Sequence, residues 1–327
     1  MKQLVILSGK GGTGKTTVAA ALAHLASREF PIVLADADVD AANLELVLDP
    51  AQQETHDFAG SKSAVIAPAR CTACGICVGV CRFDAIVETR RQGDKETRRP
   101  SPPLPVSLSP PLPVSLSPPL RVDSLACEGC AACFYQCPEE AIQMEEQRDG
   151  QWFRSTTRFG PLFHAHLFAG QENSGKLVTL VKQQARLLGQ DSGAALLLVD
   201  GPPGIGCPVI SASAGADLAL HVVEPTVSGV HDLERIMATT DHFGVRSLVA
   251  INKADLNLKR AEGITAFCAA RGIEIAGRIP YDDAVTEAMV QGRPVTEHTD
   301  GPVTEALRSV WTQVRERLFP DGAGGER

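Results

Sequence analysis

Apolar residues in this chain come in short unbroken runs separated by segments of helical period. The runs are "QLVILSG", "PIVLADAD", "AALLLVDGPPG", "LALHVVEPT", "RSLVAINKAD" and "IEIAGRIPYD". Continuous aliphatic and β-branched runs, rather than alternating ones, belong to strands covered on both faces. The alternation of such strands with helices predicts an α/β fold: a mostly parallel sheet with helices on both faces. Ligand-binding residues then collect where strand C-termini meet helix N-termini. A helix is expected over roughly residues 302–319, where Val303, Leu307, Val310, Trp311, Val314 and Leu318 form an apolar stripe. Its other face mixes acidic and basic residues, so it is expected to dock on the sheet rather than lie on a lipid surface.

Residues 56–160 break the pattern. They contain "CTACGICVGVC" at 71–81 and "CEGCAACFYQCP" at 127–138, and between these "SPPLPVSLSPPLPVSLSPPL", in which residues 101–108 recur at 109–116. So much proline excludes a helix or central strand and predicts an extended surface insertion. The expected organisation is a first part of one domain at 1–58, an inserted module at 59–150 with its proline-rich loop at 100–120, and the rest of the first domain at 151–327. "QWFRSTTRFGPLFHAHLF" reads as strands leading back to the main domain. His164 and His166 share one face of such a strand. With no third ligand visible in the sequence, they read as an ordinary packed or solvated face. "GQENSGKL" at 170–177 mimics a phosphate loop, but Leu177 stands where a magnesium-binding hydroxyl belongs, so it reads as a helix start.

Charge and cysteine usage narrow the chemistry. The 327 residues carry 31 lysines and arginines against 39 aspartates and glutamates, a net charge of −8. That gives no overall attraction to nucleic acid or anionic lipid. No window approaches the roughly 20 apolar residues of a membrane span, and Met1 to Gly9 has no cationic leader, so a cytoplasmic location without stable membrane insertion is expected. Eight of the ten cysteines fall in the two short runs. In a reducing compartment, this favours metal ligation over disulfides.

"GKGGTGKT" at 9–16 satisfies G-x-x-x-x-G-K-[ST] between a strand and a helix. Gly9, Gly11, Gly12 and Gly14 let backbone amides converge on phosphate oxygens, with Thr13 and Thr17 completing the loop. Lys15 reaches the outer phosphates and Thr16 holds Mg²⁺. The four apolar residues of "LLLVDGPPG" carry Asp200 to a strand end, where it can hold the metal shell.

These motifs resemble the deviant Walker A ATPases, which include cell-division positioning and plasmid-partition ATPases, Mrp-type iron-sulfur carriers and the nitrogenase iron protein. Lys10 of "KGGTGKTT" carries the resemblance. It implies a nucleotide-sandwich dimer in which Lys10 reaches the other subunit's phosphates; a plain structural lysine is the alternative. The resemblance also implies that Asp38 of "LADADVDAANLELVL" orients the attacking water and that Asn43 belongs to the first switch segment. "NKAD" at 252–255 is open to a guanine-reading interpretation. The resemblance implies instead that Asn252 faces adenine, with Pro280, Tyr281 and Asp282 as the opposite wall, so ATP is the expected nucleotide.

C-x-x-C-x-x-C-x-x-x-C, twice, is the spacing of a bacterial two-cluster ferredoxin. Three close thiolates wrap one cubane and the fourth reaches the other. Cys71, Cys74, Cys77 and Cys137 are expected to hold one [4Fe-4S] cluster, and Cys127, Cys130, Cys133 and Cys81 the other. Zinc is the alternative, although zinc sites pair two C-x-x-C arms and leave the third and fourth cysteines unexplained. Arg82 replaces the proline of the second copy. Cys207 lies seven residues past Asp200, at the offset of a bridging ligand in the nitrogenase iron protein; a buried or switch-region cysteine is preferred. Cys268 is expected in the core.

The whole arrangement resembles MinD-superfamily ATPases with an inserted ferredoxin domain. It implies an ATP-dependent homodimer, or a heterodimer with a paralogue, and a redox donor or acceptor. Redox coupling of ATP turnover to the clusters ranks first on sequence alone. Cluster assembly or delivery ranks second, weakened by the absence of a C-terminal C-x-x-C. A MinD/ParA-like positioning role ranks third.

Overall fold

The computed structural model describes residues 1–88, 120–171 and 173–320. Residues 100–119 of the proline-rich run lie outside the described residues. The chain packs as two compact units, Met1–Phe58 with Gly150–Arg327, and Ala59–Asp149.

In chain order the first elements are β1 (Lys2–Ser8), α1 (Lys15–Ser27), β2 (Ile32–Asp36), α2 (Leu44–Leu48) and β3 (Ala51–Ile66). Next come α3 (Ile76–Val80), β4 (Ile86–Glu88), β5 (Leu120–Val122), α4 (Ala132–Gln136), β6 (Ile142–Thr157) and β7 (Gly160–Leu167). The chain continues through α5 (Ser174–Asp191), β8 (Leu196–Pro203), α6 (Cys207–Ser213), β9 (Leu218–Val223), α7 (Gly229–His242) and β10 (Arg246–Asn252). It closes with α8 (Leu258–Ala270), β11 (Glu274–Ile279), α9 (Ala284–Val290), α10 (Val295–His298) and α11 (Pro302–Leu318).

The large unit is built on a sheet of order β11-β10-β9-β1-β8-β2-β7-β6-β3. Pairing is parallel from β11 through β7 and antiparallel between β6 and β7. Leu4 and Ile6 of β1 pack into one core with α1 and α11, while Val5 and Leu7 pack into the other with α5, α7 and α8. Both faces are therefore covered, which is why the central strands are apolar at consecutive positions. Helix α1 buries Val18 through Ala23; its alanines offer high helix propensity and a thin profile against the sheet. The α11 stripe docks as expected, with Val303, Leu307, Val310, Trp311, Val314 and Leu318 all buried.

The polar stretch before Phe58 is the start of β3, an edge strand exposed at almost every position there. Exposure on both faces removes the hydrophobic alternation by which a strand is recognised in sequence.

In the small unit β4 and β5 form an antiparallel pair, with Ile86 opposite Val122. Ala64, Ile66, Ile86, Leu120 and Ile142 make a modest apolar core that also contains Cys77 and Cys133. The buried Asp149 carboxylate accepts hydrogen bonds from the Gly60 amide at 2.9 Å and the Ser61 hydroxyl at 2.8 Å. Among the described residues, no helix is long and apolar enough to cross a membrane.

Candidate nucleotide site and cysteine cradle

The loop between β1 and α1 is fixed from both sides. Ser8 Oγ donates to the Lys10 carbonyl at 2.6 Å. Gly14 sits at φ 87°, in the left-handed region, and a Cβ there would meet Asn252 Nδ2 at 2.3 Å. Asn252 Nδ2 in turn donates to the Thr13 carbonyl at 2.8 Å. On the opposite side, a Cβ on Gly9 would overlap the Asp232 carbonyl oxygen of α7 at 2.3 Å. Glycine is thus required at Gly14 by both conformation and space.

Above this loop opens a cavity of about 730 Å³. Gly11, Gly12, Gly14, Lys15, Thr16 and Thr17 form its floor, Asp38 one side, and Asn252, Pro280, Tyr281 and Asp282 another. Gly9, Lys10 and Thr13 lie outside it and line a small recess with His221, Glu224 and Asp232. Asp200 is buried within β8, two residues ahead of Pro202, which lines the cavity together with Pro203. Leu46, Lys253, Val285 and Met289 also reach the cavity wall and were not picked out from the sequence. No motif marks Leu46, Val285 and Met289, which contribute surface rather than chemistry, whereas Lys253 belongs to the "NKAD" run and pairs with Glu224.

Three carboxylates converge behind the loop. Asp36 and Asp200 are register partners on β2 and β8. Asp36 Oδ1 accepts the Asp38 amide at 3.0 Å, and Oδ2 accepts the amides of Asn43 at 3.2 Å and Leu44 at 3.0 Å. One buried carboxyl therefore organises the whole segment that presents Asp38. Burial, reinforced by the neighbouring Asp200, raises the Asp36 pKa well above the usual carboxylate range. Burial pushes that of Asp200 up to about 7, against the opposing influence of the Thr16 hydroxyl and Lys15. Among the described residues, neither Asp200 oxygen has a hydrogen-bond partner of ordinary geometry. Burial also raises the Asp38 pKa, with Lys15 pulling it back. A hard divalent cation beside Thr16 would supply the missing partner, so these residues fit Mg²⁺.

Lys10 is engaged within its own chain: Nζ donates to Thr226 Oγ1 at 2.9 Å and lies 4.0 Å from Glu224 Oε2. Glu224 also pairs with Lys253 at 2.5 Å. Asp255, the residue a guanine reader would use, accepts the Tyr281 amide at 2.7 Å and is not part of the cavity wall.

In the small unit the two cysteine runs adopt matching backbones. Ala73 and Gly75 in the first copy, and Gly129 and Ala131 in the second, all have positive φ. Two alanines in that region mean local strain that the surroundings must hold in place, a feature that concentrates at ligand-binding loops. A pocket is lined by Cys71, Cys74, Cys77 and Cys137, and burial raises the thiol pKa values of Cys77 and Cys133. Cys81 and Cys127 pack beside the same apolar core, while Cys130 is exposed. Among the described residues no three sulfurs lie within 4.8 Å of one another. A zinc ion with bonds of about 2.3 Å needs sulfurs roughly 3.8 Å apart. Cys207 is exposed at the start of α6, and Cys268 is fully buried.

The description of the CobQ/CobB/MinD/ParA nucleotide binding domain matches residues 4–295. The chain belongs to this family. It is 30% identical over 314 residues to an uncharacterised protein of Methanocaldococcus jannaschii, covering 96% of each chain. It is 23% identical over 298 residues to a septum site-determining MinD protein of Chlorella vulgaris, covering 89% of this chain and 76% of the relative. Among solved structures, MinD of Pyrococcus horikoshii in complex with Mg-ADP superposes with TM-score 0.55 at 17% identity, covering 96% of this chain and 95% of that one. An ATP complex of McdA from Cyanothece gives 0.53 at 18%, covering 97% and 96%. For this member of the MinD/ParA family, these likenesses bear out the mostly parallel P-loop fold with flanking helices.

Proposed function

We propose that the chain is an ATP-hydrolysing switch of the MinD/ParA kind. The observation that carries this reading is the pair of unpartnered, buried Asp200 oxygens behind a phosphate loop whose cavity also holds Asp38. Thr16 and Asp200 would hold Mg²⁺, which supplies charge neutralisation at the phosphates. Lys15 would bind the outer phosphates, and Asp38 would accept a hydrogen bond from the attacking water and orient it. Asn252 and the Pro280–Asp282 wall would enclose the base, and the engagement of Asp255 by Tyr281 favours adenine over guanine. The neighbours described with Mg-ADP and with ATP point the same way. A complex of MinD with MinC from Aquifex aeolicus, 18% identical to this chain, makes a nucleotide-dependent protein partner a reasonable extension, beside the ATP-dependent dimer that Lys10 implies. The deciding experiment compares binding and hydrolysis of ATP and GTP by wild type, Lys15→Ala and Asp38→Ala. Wild-type protein that neither binds nor turns over ATP sinks the proposal.

The comparisons give this MinD/ParA-like reading more weight than the redox coupling that ranked first on sequence alone. A second reading builds on it: nucleotide state coupled to electron transfer through two [4Fe-4S] clusters in the inserted unit. It is favoured by the pocket lined by Cys71, Cys74, Cys77 and Cys137 and by the duplicated left-handed loops. Clusters bound there would supply one-electron carriers. Iron content and EPR spectra of anaerobically prepared protein, with and without Mg·ATP, test it; iron-free protein or spectra indifferent to nucleotide would count against it.

A further inference from the structure

Among the described residues outside the nucleotide cavity and the cysteine runs, one cluster of metal-ligating side chains stands apart. Glu45 of α2 meets His164 and His166 of β7, all three in the large unit, with one ligand atom from each lying within 4.8 Å of the others. Glu45 Oε2 is 2.9 Å from His164 Nδ1, and Oε1 is 3.2 Å from His166 Nε2. Two ligands of a tetrahedral ion with bonds of about 2.0–2.1 Å stand roughly 3.3 Å apart. Each imidazole nitrogen therefore already stands near coordination spacing from the carboxylate.

The group is built rather than accidental. His164 is only 3% exposed. Its Nε2 lies 2.9 Å from Ser155 Oγ, and its ring stacks on Phe153 at 5.0 Å between centroids. The serine contact fixes which nitrogen is left for the cluster, as outer partners do for metal-bound histidines. The remaining nitrogen, Nδ1, has no hydrogen bond of ordinary geometry among the described residues despite the nearby carboxylate. This nitrogen faces the carboxylate oxygen without a well-aligned hydrogen bond, and a cation bound between them would satisfy both. His166 is 44% exposed, which leaves an approach from solvent for the ion and for a fourth ligand.

We propose that Glu45, His164 and His166 form a binding site for a divalent transition-metal ion of the zinc class, with one coordination position open to solvent. Two neutral imidazoles and one carboxylate suit zinc or ferrous iron, whereas magnesium and calcium prefer all-oxygen sets. The site is independent of the nucleotide assignment. Glu45 nevertheless follows directly on Leu44, whose amide is held by Asp36, so an ion here would tie β7 to the segment carrying Asp38.

The test is zinc titration of the full chain, after chelation, against a chromophoric competitor. The eight clustered cysteines also bind zinc, so the readout is the difference between proteins. Wild type is expected to hold one equivalent more than Glu45→Gln or His166→Ala. Ser155→Ala is expected to keep that equivalent with affinity reduced about 10–100-fold. ATP binding serves as the folding control, since neither Glu45 nor His166 lines the nucleotide cavity. Equal stoichiometry in wild type and both ligand variants, with ATP binding intact, overturns the proposal, as does extra zinc that disappears only with the cysteines.

Discussion

Asp36 and Asp200 face one another as register partners on β2 and β8, both essentially sealed from solvent. They differ in what they hold. Asp36 is saturated by three backbone amides, whereas Asp200 has none. Asp200 is thus a buried acid with no well-aligned hydrogen-bond partner among the described residues. Asp200→Asn is expected to raise stability of the nucleotide-free protein by about 1–3 kcal/mol and to abolish the stabilisation that Mg·ATP gives wild type. Thermal unfolding of both proteins with and without Mg·ATP measures both effects; a variant still stabilised by Mg·ATP contradicts the role given to Asp200.

Removing Asp36 has a different signature. Asp36→Ala leaves the amides of Asp38, Asn43 and Leu44 without their acceptor, so the segment presenting Asp38 should loosen. Hydrogen exchange is expected to accelerate across residues 38–44 while β1 and α1 stay protected. Unchanged protection in that segment would show that its order comes from elsewhere.

Gly14→Ala combines a positive-φ penalty with a collision against Asn252. A loss of at least about 1–2 kcal/mol is expected, along with nucleotide binding. Adding Asn252→Ala relieves the collision but not the backbone conformation, so the double variant should recover stability only in part. Full recovery would mean that the left-handed conformation costs nothing there.

His221 is fully buried between Ser247 Oγ at 3.0 Å and Thr240 Oγ1 at 3.3 Å, and burial pushes its pKa down to about 4. In the unfolded chain it titrates near 6.5, so between these values the unfolded state binds the extra proton. Its contribution is intact above about pH 6.5 and declines as pH falls toward 4, by up to about 3 kcal/mol. Denaturant unfolding of wild type and His221→Gln over that range should show a shallower pH dependence in the variant. Parallel curves would refute it.

The two-cluster reading makes any loss of iron a local event. Cys77→Ser and Cys133→Ser are each expected to lower bound iron and raise hydrogen exchange within residues 59–149, while ATP binding by the large unit persists. Iron content unchanged in both variants would argue that those thiols serve only as core.

How much of this was legible beforehand follows from where each signal resides. The parallel strands are written as unbroken apolar runs because both faces are covered, and the phosphate loop and cysteine ladders are contiguous motifs. β3 was invisible because Gln52, Gln53 and Glu54 look like a loop when no face of a strand is buried. Glu45 was invisible as a partner because it lies more than a hundred residues from His164, and only the pairing of β2 with β7 brings α2 to that strand. The histidines alone read as an ordinary face. For Lys10 the resemblance implies a role across a dimer, but its contact with Thr226 within its own chain could not be read from the sequence, since it depends on where the ammonium rests.

That resting place has a consequence of its own. A lysine already satisfied by Thr226 is not a free hand extended toward a neighbour, and any engagement with a second copy's phosphates begins by surrendering a bond at home. If Lys10 acts across a dimer as proposed, the exchange would need a triphosphate to receive the charge. An ammonium parked in this way would then make self-association answer to fuel supply rather than to protein concentration alone.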